Sequence, residues 1–359
     1  MEKSKLNNSL RKLSNLREQL TGNTKEKKVE NLKPVRLLIT GAVGNIGYAL
    51  SFMAAQGRAL GQNQPLILHC FDLPMFSEAL KALEMELNDG AFDLLKGVVA
   101  TVDPKEAFEN IDYAILCGAK PRGKGMERKD LLSQNGKIFE EQGKYFERYA
   151  KRSVKVVVVG NPANTNALML IKNAPSIDPR NFTALTRLDH NRLISQVSTR
   201  LQVDSNKIKN VIIWGNHSST QYPYLDYAVY ETDDNYLPLA GLINDQEYVE
   251  TALIKKVQQR GAEIIKARKM SSAASAASSA CDHMRDWVLG TSEGSWVSMA
   301  VYSNGEYGAP KDIVFSFPVH CQNGEWKIVE GLKLSNFGKK KIEITGNELL
   351  DEKRMALGL

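Results

Sequence analysis

One histidine of the chain stands in a setting suited to acid–base chemistry. Of the five histidines, His217 alone lies in a turn rich in Gly, Asn and Ser (residues 214–219) that follows an apolar run. Imidazole can accept a proton near neutral pH, so His217 is a candidate general base. A histidine taken alone is more often structural, and the prediction therefore needs a carboxylate that would fix its tautomer. Asp189 is the candidate for that partner.

Three arginines could bind carboxylates. Arg192 lies three residues after Asp189 at the opening of a predicted helix, so the two share a face. One interpretation is that the two residues form only a local ion pair. The other is that Asp189 orients a base while Arg192 binds a substrate carboxylate. Arg122 and Arg128 lie six residues apart in a segment with two intervening glycines, which indicates either a solvated basic turn or a lid. Guanidinium groups suit carboxylates because they can donate two parallel hydrogen bonds.

A glycine-rich turn follows the first apolar run and precedes a helical pattern. The motif has the form G-x-x-G-x-x-G and consists of Gly41, Ala42, Val43, Gly44, Asn45, Ile46 and Gly47. Such glycines let backbone N–H groups approach a pyrophosphate, which the helix N-terminus then favours. Asp72 closes the second run, 25 residues beyond Gly47, where a carboxylate can accept hydrogen bonds from a ribose diol. Because that carboxylate would repel a 2′-phosphate, NAD is predicted rather than NADP; the alternative is an ordinary turn aspartate.

The same glycine motif also opens the short-chain dehydrogenases and sugar-nucleotide epimerases. Those enzymes need Tyr and Lys four residues apart on one helical face, and here that spacing occurs only as Tyr307 and Lys311. Pro310 lies between the two and is incompatible with a helix interior. We therefore prefer hydride transfer from a 2-hydroxy dicarboxylate, which uses the dinucleotide turn, the His–Asp pair and the arginines together.

The first half of the chain alternates short apolar runs with helical patterns. The predicted strands are 35–40, 66–71, 98–102, 113–117, 154–159 and 182–186. Strands that are apolar throughout are typical of a parallel sheet covered by helices on both faces. The fold class predicted is α/β, with a doubly wound (Rossmann) parallel-sheet domain that binds NAD.

The second half has a different pattern, which predicts an α+β catalytic domain. Its predicted helices are 189–201, 247–269, 272–287 and 347–357, and its predicted strands are 210–214, 296–302 and 312–317. The domain boundaries predicted are 1–33 for a basic, flexible extension, 34–186 for the NAD-binding domain and 187–359 for the catalytic/substrate domain.

Charge and composition exclude several classes of protein. The chain has 359 residues and a net charge of +6. Residues 1–33 hold nine Lys and Arg against four Glu, so this segment carries +5 and the rest of the chain is nearly neutral. That distribution argues against nucleic-acid binding. No apolar run reaches the roughly 18 residues of a membrane span, and the scattered cysteines predict no metal site.

The extension contains a stripe of leucines at helical spacing, beginning at Leu6 and ending at Leu20. A helical arm, a contact with a partner and an import sequence are all open interpretations. The four Glu count against import, because presequences are poor in acidic residues.

Several longer blocks carry a resemblance to a known family. The blocks are 118–122, 125–132, 158–166, 186–192 and 214–221. On these the chain resembles the NAD-dependent malate dehydrogenases of the lactate/malate dehydrogenase superfamily, most of all the eukaryotic cytosolic type, from about residue 35 to 357. The extension departs from that type. Some segments also resemble the chloroplast NADP-linked branch, but Asp72 stands where that branch lacks the acid.

The resemblance implies a role for each candidate residue. His217 would be the proton acceptor and Asp189 its orienting carboxylate. Arg192 would bind the C1 carboxylate of the substrate, Arg122 the distal carboxylate, and Arg128 the C2 oxygen. Asn161 would contact both substrate and nicotinamide. The implied cofactor contacts are the turn 41–47, Asp72, Asn135, Gln142, Val159, Gly160 and Asn161, and with less weight Ser271 and Ser272.

The expected function is reversible hydride transfer between (S)-malate and NAD, giving oxaloacetate and NADH. The resemblance also implies a cytoplasmic homodimer, with a small-molecule substrate as its other partner. Two alternatives remain at this point: a lactate dehydrogenase on the same scaffold, and a non-catalytic dinucleotide-binding protein.

Overall fold

A mostly parallel sheet organises the protein. The computed structural model describes residues 32–120 and 128–359, without the side chains of 128 and 129. The predicted leucine stripe of the extension and Arg122 therefore lie outside the described residues. Within the described ranges, the largest sheet has nine strands, six of them parallel and followed at one edge by three antiparallel strands.

The parallel part of this sheet has the order 3-2-1-4-5-6, as a doubly wound fold requires. Its strands are β1 (Val35–Thr40), β2 (Leu66–Phe71), β3 (Leu95–Thr101), β4 (Tyr113–Leu116), β5 (Lys155–Val158) and β6 (Phe182–Ala184). In the register, Thr40 at the end of β1 pairs with Phe71 on one side and Leu116 on the other. The carboxyl ends of these strands therefore meet at one edge, where the predicted cofactor turn and Asp72 follow them.

Helices cover both faces of the parallel strands. They are α1 (Asn45–Ala55), α2 (Ser77–Asp89), α3 (Pro104–Phe108), α4 (Arg128–Tyr149) and α5 (Ala163–Asn173). Each face buries its own core, because side chains alternate along a strand: in β1, Leu37 and Ile39 enter one cluster and Leu38 the other. This arrangement confirms the predicted fold class.

The second half extends the same sheet with antiparallel strands and adds smaller elements around it. Its strands are β7 (Ile208–Lys209), β8 (Ile212–Trp214), β9 (Tyr222–Tyr224), β10 (Val229–Glu231), β11 (Tyr236–Pro238), β12 (Val297–Tyr302), β13 (Val314–Gln322) and β14 (Glu325–Ile328). Its helices are α6 (Arg187–Leu201), α7 (Leu239–Ile243), α8 (Gln246–Tyr248), α9 (Ile254–Arg268), α10 (Ala274–Leu289) and α11 (Asn336–Leu357). Short 3₁₀ turns occur at Pro74–Phe76, Pro179–Asn181, Ser205–Lys207 and Glu306–Gly308.

Two elements differ from the sequence prediction in an informative way. The last helix, α11, begins at Asn336 rather than at residue 347, with the Ser335 hydroxyl accepting from the Gly338 N–H (3.1 Å). Glycines lower helix propensity and hid this start. Gly346 is nevertheless required, because a Cβ there would lie 2.7 Å from the Pro310 ring. The predicted helix 247–269 is interrupted by a π-helical turn at Val249–Leu253 between α8 and α9.

Residues 33–359 form one compact unit. In the described ranges, no helix is both long and apolar enough to cross a membrane.

Candidate active site

The glycine turn after β1 lies against the end of the neighbouring strand. Gly41 has φ +64°, and a Cβ at this position would lie 2.6 Å from Gly118 Cα. A Cβ on Gly47 would lie 2.2 Å from the Gly41 carbonyl oxygen. Helix α1 then begins with Gly44 as its N-cap, which has no side chain to satisfy the first N–H groups. The turn therefore has the close backbone packing and open helix N-terminus that suit a pyrophosphate.

Asp72 lies beside this turn and is largely buried. Its carboxylate accepts from the Leu73 N–H (2.9 Å) and from the Val43 N–H (3.2 Å). Each carboxylate oxygen can accept a further hydrogen bond, so Asp72 fits a ribose diol. It also connects the second strand to the glycine turn, a role that the sequence did not indicate.

Asn135 of α4 is buried and bonds to the protein backbone. Its Oδ1 accepts from the Lys120 N–H (2.8 Å), and its Nδ2 donates to the Lys120 carbonyl (3.1 Å) and to the Asn161 carbonyl (2.8 Å). It thus holds together the segments that follow β4 and β5. Gln142, two helical turns further along α4, is buried, and its Oε1 has no partner among the described residues. A cofactor contact for either side chain stays a prediction.

His217 and Asp189 form the predicted pair. His217 Nδ1 is hydrogen-bonded to Asp189 Oδ2, and the His217 N–H donates to Asn164 Oδ1 (3.0 Å). The Asp189 side chain is completely buried, whereas 19% of the His217 side chain is exposed. Burial opposes ionisation of Asp189, but His217 and Arg192 outweigh it and hold the pKa of the Asp189 carboxyl below its ordinary value. The carboxylate can therefore orient the imidazole through Nδ1, while the His217 side chain keeps some exposure.

Arg192 binds the other oxygen of the same carboxylate. Its Nη1 lies 3.1 Å from Asp189 Oδ1, and its Nη2 lies 3.3 Å from Ser272 Oγ. Its Nε is buried without a hydrogen-bond partner among the described residues. The structure is thus compatible with both interpretations of the Asp189–Arg192 spacing. The two residues form an ion pair, and guanidinium N–H groups remain that could bind a substrate carboxylate. Gly261 of α9 lies beside this guanidinium, and a Cβ on it would be at an ordinary contact distance of 3.7 Å from Arg192 Nη2.

The remaining candidates lie after β5, at the start of α4 and before α10. Asn161 is exposed and follows Val159 and Gly160 in the turn after β5. Its peptide bond to Pro162 is cis. Arg128 is the first residue of α4. Ser272 contacts Arg192, whereas Ser271 accepts from Arg268 Nη1 through its carbonyl (2.7 Å).

The other four histidines have structural surroundings. His69, His190 and His283 are buried, and desolvation lowers their pKa values, that of His283 to about 3. His190 and His283 bond to the hydroxyls of Ser298 and Thr183, and His69 to Arg36 and backbone carbonyls. The imidazole of His320 bonds to the Thr291 hydroxyl (2.9 Å). The hydrogen bonds of these four histidines thus give them structural roles, whereas His217 pairs with the buried carboxylate of Asp189.

Several polar residues that hold the His217 turn were missed by sequence reasoning. Asn164 donates through Nδ2 to the carbonyls of Gly215 (3.2 Å) and Val314 (2.9 Å), besides accepting from His217. Gln258 of α9 donates to the Gln221 carbonyl (2.7 Å). Asn164 lies within the block 158–166 that carries the resemblance, but no local signal connects Asn164 or Gln258 with the distant turn that carries His217.

In the described part of the chain, no group of three or more His, Cys, Asp and Glu side chains could hold a metal ion. The chemistry that can be assigned to the cluster is that of an imidazole, a carboxylate and a guanidinium acting together.

Two family models match the chain. The one described as lactate/malate dehydrogenase, NAD binding domain, matches residues 35–183. The one described as lactate/malate dehydrogenase, alpha/beta C-terminal domain, matches residues 186–358. The NAD prediction and the resemblance are thereby confirmed.

Individual relatives are similar over nearly their whole length. The cytoplasmic malate dehydrogenase of Zea mays is 55% identical, with 90% of this chain and 98% of that protein covered. The cytoplasmic malate dehydrogenase of Taenia solium is 54% identical at the same coverages.

Two solved structures share the fold closely. A malate dehydrogenase from Naegleria fowleri gives a TM-score of 0.86 at 45% identity, with 91% of this chain and 98% of that chain covered. A Trichomonas vaginalis lactate dehydrogenase in complex with NADH and oxamate also gives 0.86, at 38% identity, with 90% and 98% covered. The chain belongs to the lactate/malate dehydrogenase family.

Proposed function

We propose that this protein is an NAD-dependent malate dehydrogenase, which interconverts (S)-malate and oxaloacetate. The observation that carries the proposal is the double use of Asp189: one oxygen orients His217 and the other holds Arg192. A proton acceptor and a carboxylate ligand are thus fixed next to each other, as oxidation of a 2-hydroxy acid needs. The names of the relatives from Zea mays and Taenia solium support the same substrate.

Each residue of the cluster has a defined task in the proposed reaction. Arg192 binds the C1 carboxylate and brings the C2 hydroxyl towards the outer nitrogen of His217. His217 takes the hydroxyl proton, and buried Asp189 stabilises the imidazolium that forms. Bound NAD supplies the acceptor for the hydride that leaves C2. In the reverse direction His217 returns the proton to the C2 oxygen.

The second carboxylate of the substrate is assigned to Arg122, and Arg128 would polarise the C2 oxygen. These assignments rest on the family resemblance, because Arg122 and the Arg128 side chain lie outside the described residues. Asn161 would contact both substrate and nicotinamide from the end of β5. The interpretation of the segment around Arg122 as a lid likewise concerns residues 121–127, which lie outside the described ranges.

A lactate dehydrogenase is the second candidate, because the Trichomonas vaginalis enzyme shares this fold. Its substrate has one carboxylate, so Arg122 would be enclosed without a partner. The test is NADH oxidation with oxaloacetate and with pyruvate. We expect efficient turnover of oxaloacetate and little of pyruvate; preference for pyruvate would identify a lactate dehydrogenase. Turnover of neither, with NADH still bound, would favour a non-catalytic protein.

We further propose that the protein is a cytoplasmic homodimer, as the family resemblance and the names of its relatives suggest. Sedimentation equilibrium of the full chain would test the dimer. The expected mass is twice the 39.9 kDa of one chain. A monomer mass at micromolar concentration would contradict it.

A further inference from the structure

The last helix of the chain lies against the turn that carries the catalytic histidine. Thr345, Glu348 and Glu352 are spaced three and four residues apart and so occupy one face of α11. Thr345 Oγ1 accepts from the Asn216 N–H (2.9 Å) and lies 2.9 Å from Thr220 Oγ1. The approach is close enough that Gly215 (φ +91°) cannot carry a side chain, since its Cβ would be 2.2 Å from Thr345 Cγ2.

The two carboxylates of this face share one amide. Asn216 Nδ2 donates to Glu348 Oε2 (2.8 Å) and to Glu352 Oε1 (3.0 Å). Glu348 Oε2 also accepts from the hydroxyls of Ser218 and Thr220, the latter at 2.5 Å. The residues on both sides of His217 are therefore bound by acceptors from a helix about 130 residues further along the chain.

A third element joins this network. Thr165 of α5 donates to Glu352 Oε2, and its neighbour Asn164 accepts from the His217 N–H (3.0 Å). Glu352 is 1% exposed, so its carboxylate lies inside the protein among hydrogen-bond donors. Helix α5, the turn and α11 are thus connected through side chains that fix the backbone on which His217 is carried.

We propose that Glu348 and Glu352 are positioning residues that hold the 215–220 turn so that the imidazole of His217 stays in line with Asp189. The proposal rests on the proposed function, because it assigns these carboxylates to the same site. In this proposal the carboxylates act on His217 indirectly, through their hydrogen bonds with Asn216, Ser218 and Thr220. A catalytic group displaced by about 1 Å can lose about a hundredfold in rate.

The test removes the negative charges of Glu348 and Glu352 while nearly keeping the size and shape of the side chains. We expect Glu348→Gln and Glu352→Gln each to lower kcat about tenfold. The KM for oxaloacetate and the dissociation constant for NADH should change less than about twofold, since cofactor and substrate contacts are untouched. Glu343→Gln, on an exposed position of the same helix, is the matched control and should behave as wild type.

A rescue experiment separates positioning from general loss of structure. Asn216→Asp places a third carboxylate opposite the two glutamates, and kcat should fall about a hundredfold. In the double variant with Glu348→Gln, the amide at position 348 donates to the carboxylate at position 216, so donor and acceptor are exchanged. We expect kcat to rise at least about tenfold above that of Asn216→Asp alone. Recovery supports the proposal, whereas additive losses in the double variant would overturn it.

A spectroscopic readout does not depend on turnover. The Nδ1–H resonance of His217, identified by its disappearance in His217→Asn, should be sharp in wild type and shifted or broadened in both glutamine variants. If wild type shows this resonance but no turnover of oxaloacetate, the proposed function fails and the positioning role is judged on the resonance alone. If both variants keep the wild-type resonance and kcat, or lose NADH binding in parallel with kcat, the positioning role is wrong.

Discussion

The proposed cofactor end of the site (the turn 41–47 with Asp72) and its proposed substrate end (Asp189, Arg192 and His217) are built in different ways. The cofactor end uses backbone: Gly41 and Gly47 allow a close turn, and α1 presents free N–H groups. The substrate end uses side chains brought together from distant parts of the chain, with Asp189 on α6 and His217 after β8. Adding atoms at the cofactor end should therefore weaken NADH binding, whereas removing functional groups at the substrate end should lower kcat.

Replacing the general base should have the largest effect. We expect His217→Asn to lower kcat by about 10²–10⁴, the usual contribution of a positioned acid–base group, while NADH binding is retained. Stopped-flow turnover and NADH fluorescence titration would measure the two quantities. His320→Asn, which changes a histidine bound to Thr291, is the control and should keep wild-type turnover. A turnover of His217→Asn within tenfold of wild type would mean that another group takes the proton.

Adding one methyl group at the cofactor end should weaken NADH binding. A Cβ in Gly47→Ala would lie 2.2 Å from the Gly41 carbonyl oxygen and 2.7 Å from Ala42 Cα, so the turn must shift. Overpacking of this kind costs about 1–3 kcal/mol, which corresponds to a dissociation constant about 5–150-fold higher. Gly241→Ala meets nothing within 4 Å and should bind NADH normally. Unchanged NADH affinity in Gly47→Ala would contradict the backbone site.

Asp72 combines a structural role with a proposed binding role: its carboxylate accepts from the Val43 N–H of the glycine turn, and it is the proposed acceptor for the ribose diol. Asp72→Ser should shift the ratio of NADPH to NADH efficiency towards NADPH by at least about tenfold, since a like charge beside the 2′-phosphate is removed. Asp72→Glu keeps the charge and should keep the preference for NADH. Steady-state kinetics with both cofactors would decide; equal use of NADPH and NADH by wild type would rule out this role.

A smaller effect, on the pH dependence of the free energy of unfolding, should come from the buried His283. The pKa of His283 is about 3 in the folded protein, below its ordinary value near 6.5. Between those two pH values the unfolded chain binds one proton more, so the free energy of unfolding falls as the pH falls. His283→Gln should reduce that slope by up to about 1.4 kcal/mol per pH unit in urea unfolding between pH 4.5 and 6.

The control for this measurement keeps the titrating group. Thr183→Val removes the hydroxyl that lies 2.9 Å from His283 Nε2, so it should lower overall stability but retain the wild-type slope. An identical slope in His283→Gln and wild type would show that this histidine is not buried in its neutral form.

The cofactor end was the more predictable part because its signals are local. Strands β1 and β2 occupy the predicted residues, since uninterrupted apolar runs bounded by turns leave little choice of register. The early start of α11 was not predicted, because glycines such as Gly338 and Gly346 conceal a helix that packing stabilises. The ends of β3 also differ from the prediction, since the strand runs from Leu95 to Thr101 rather than over 98–102.

The residues of the substrate end were predicted more from the resemblance to malate dehydrogenases than from the spacing of residue types. The sequence allowed two interpretations of Asp189 and Arg192, and only the structure shows one carboxylate serving both His217 and Arg192. The residues that hold the turn, such as Asn164 and Glu352, lie far from it in sequence and have no local signature. The boundary between domains at residues 186 and 187 stays a prediction.

The measurement that tests the proposed substrate most directly is the ratio of kcat/KM for oxaloacetate to that for pyruvate in wild type and in Arg122→Gln. Arg192 can satisfy the carboxylate that the two substrates share, so discrimination must come from the residue that meets the other end. Leaving one member of a buried charge pair alone costs about 3–5 kcal/mol, equivalent to roughly two to four powers of ten in relative efficiency. We expect the ratio to favour oxaloacetate strongly in wild type and to fall by that factor in Arg122→Gln, with NADH binding unchanged. Lys124→Gln, a neighbouring cation of the same segment, should keep the wild-type ratio. A wild-type ratio in Arg122→Gln would contradict the assignment of a dicarboxylate substrate through this arginine.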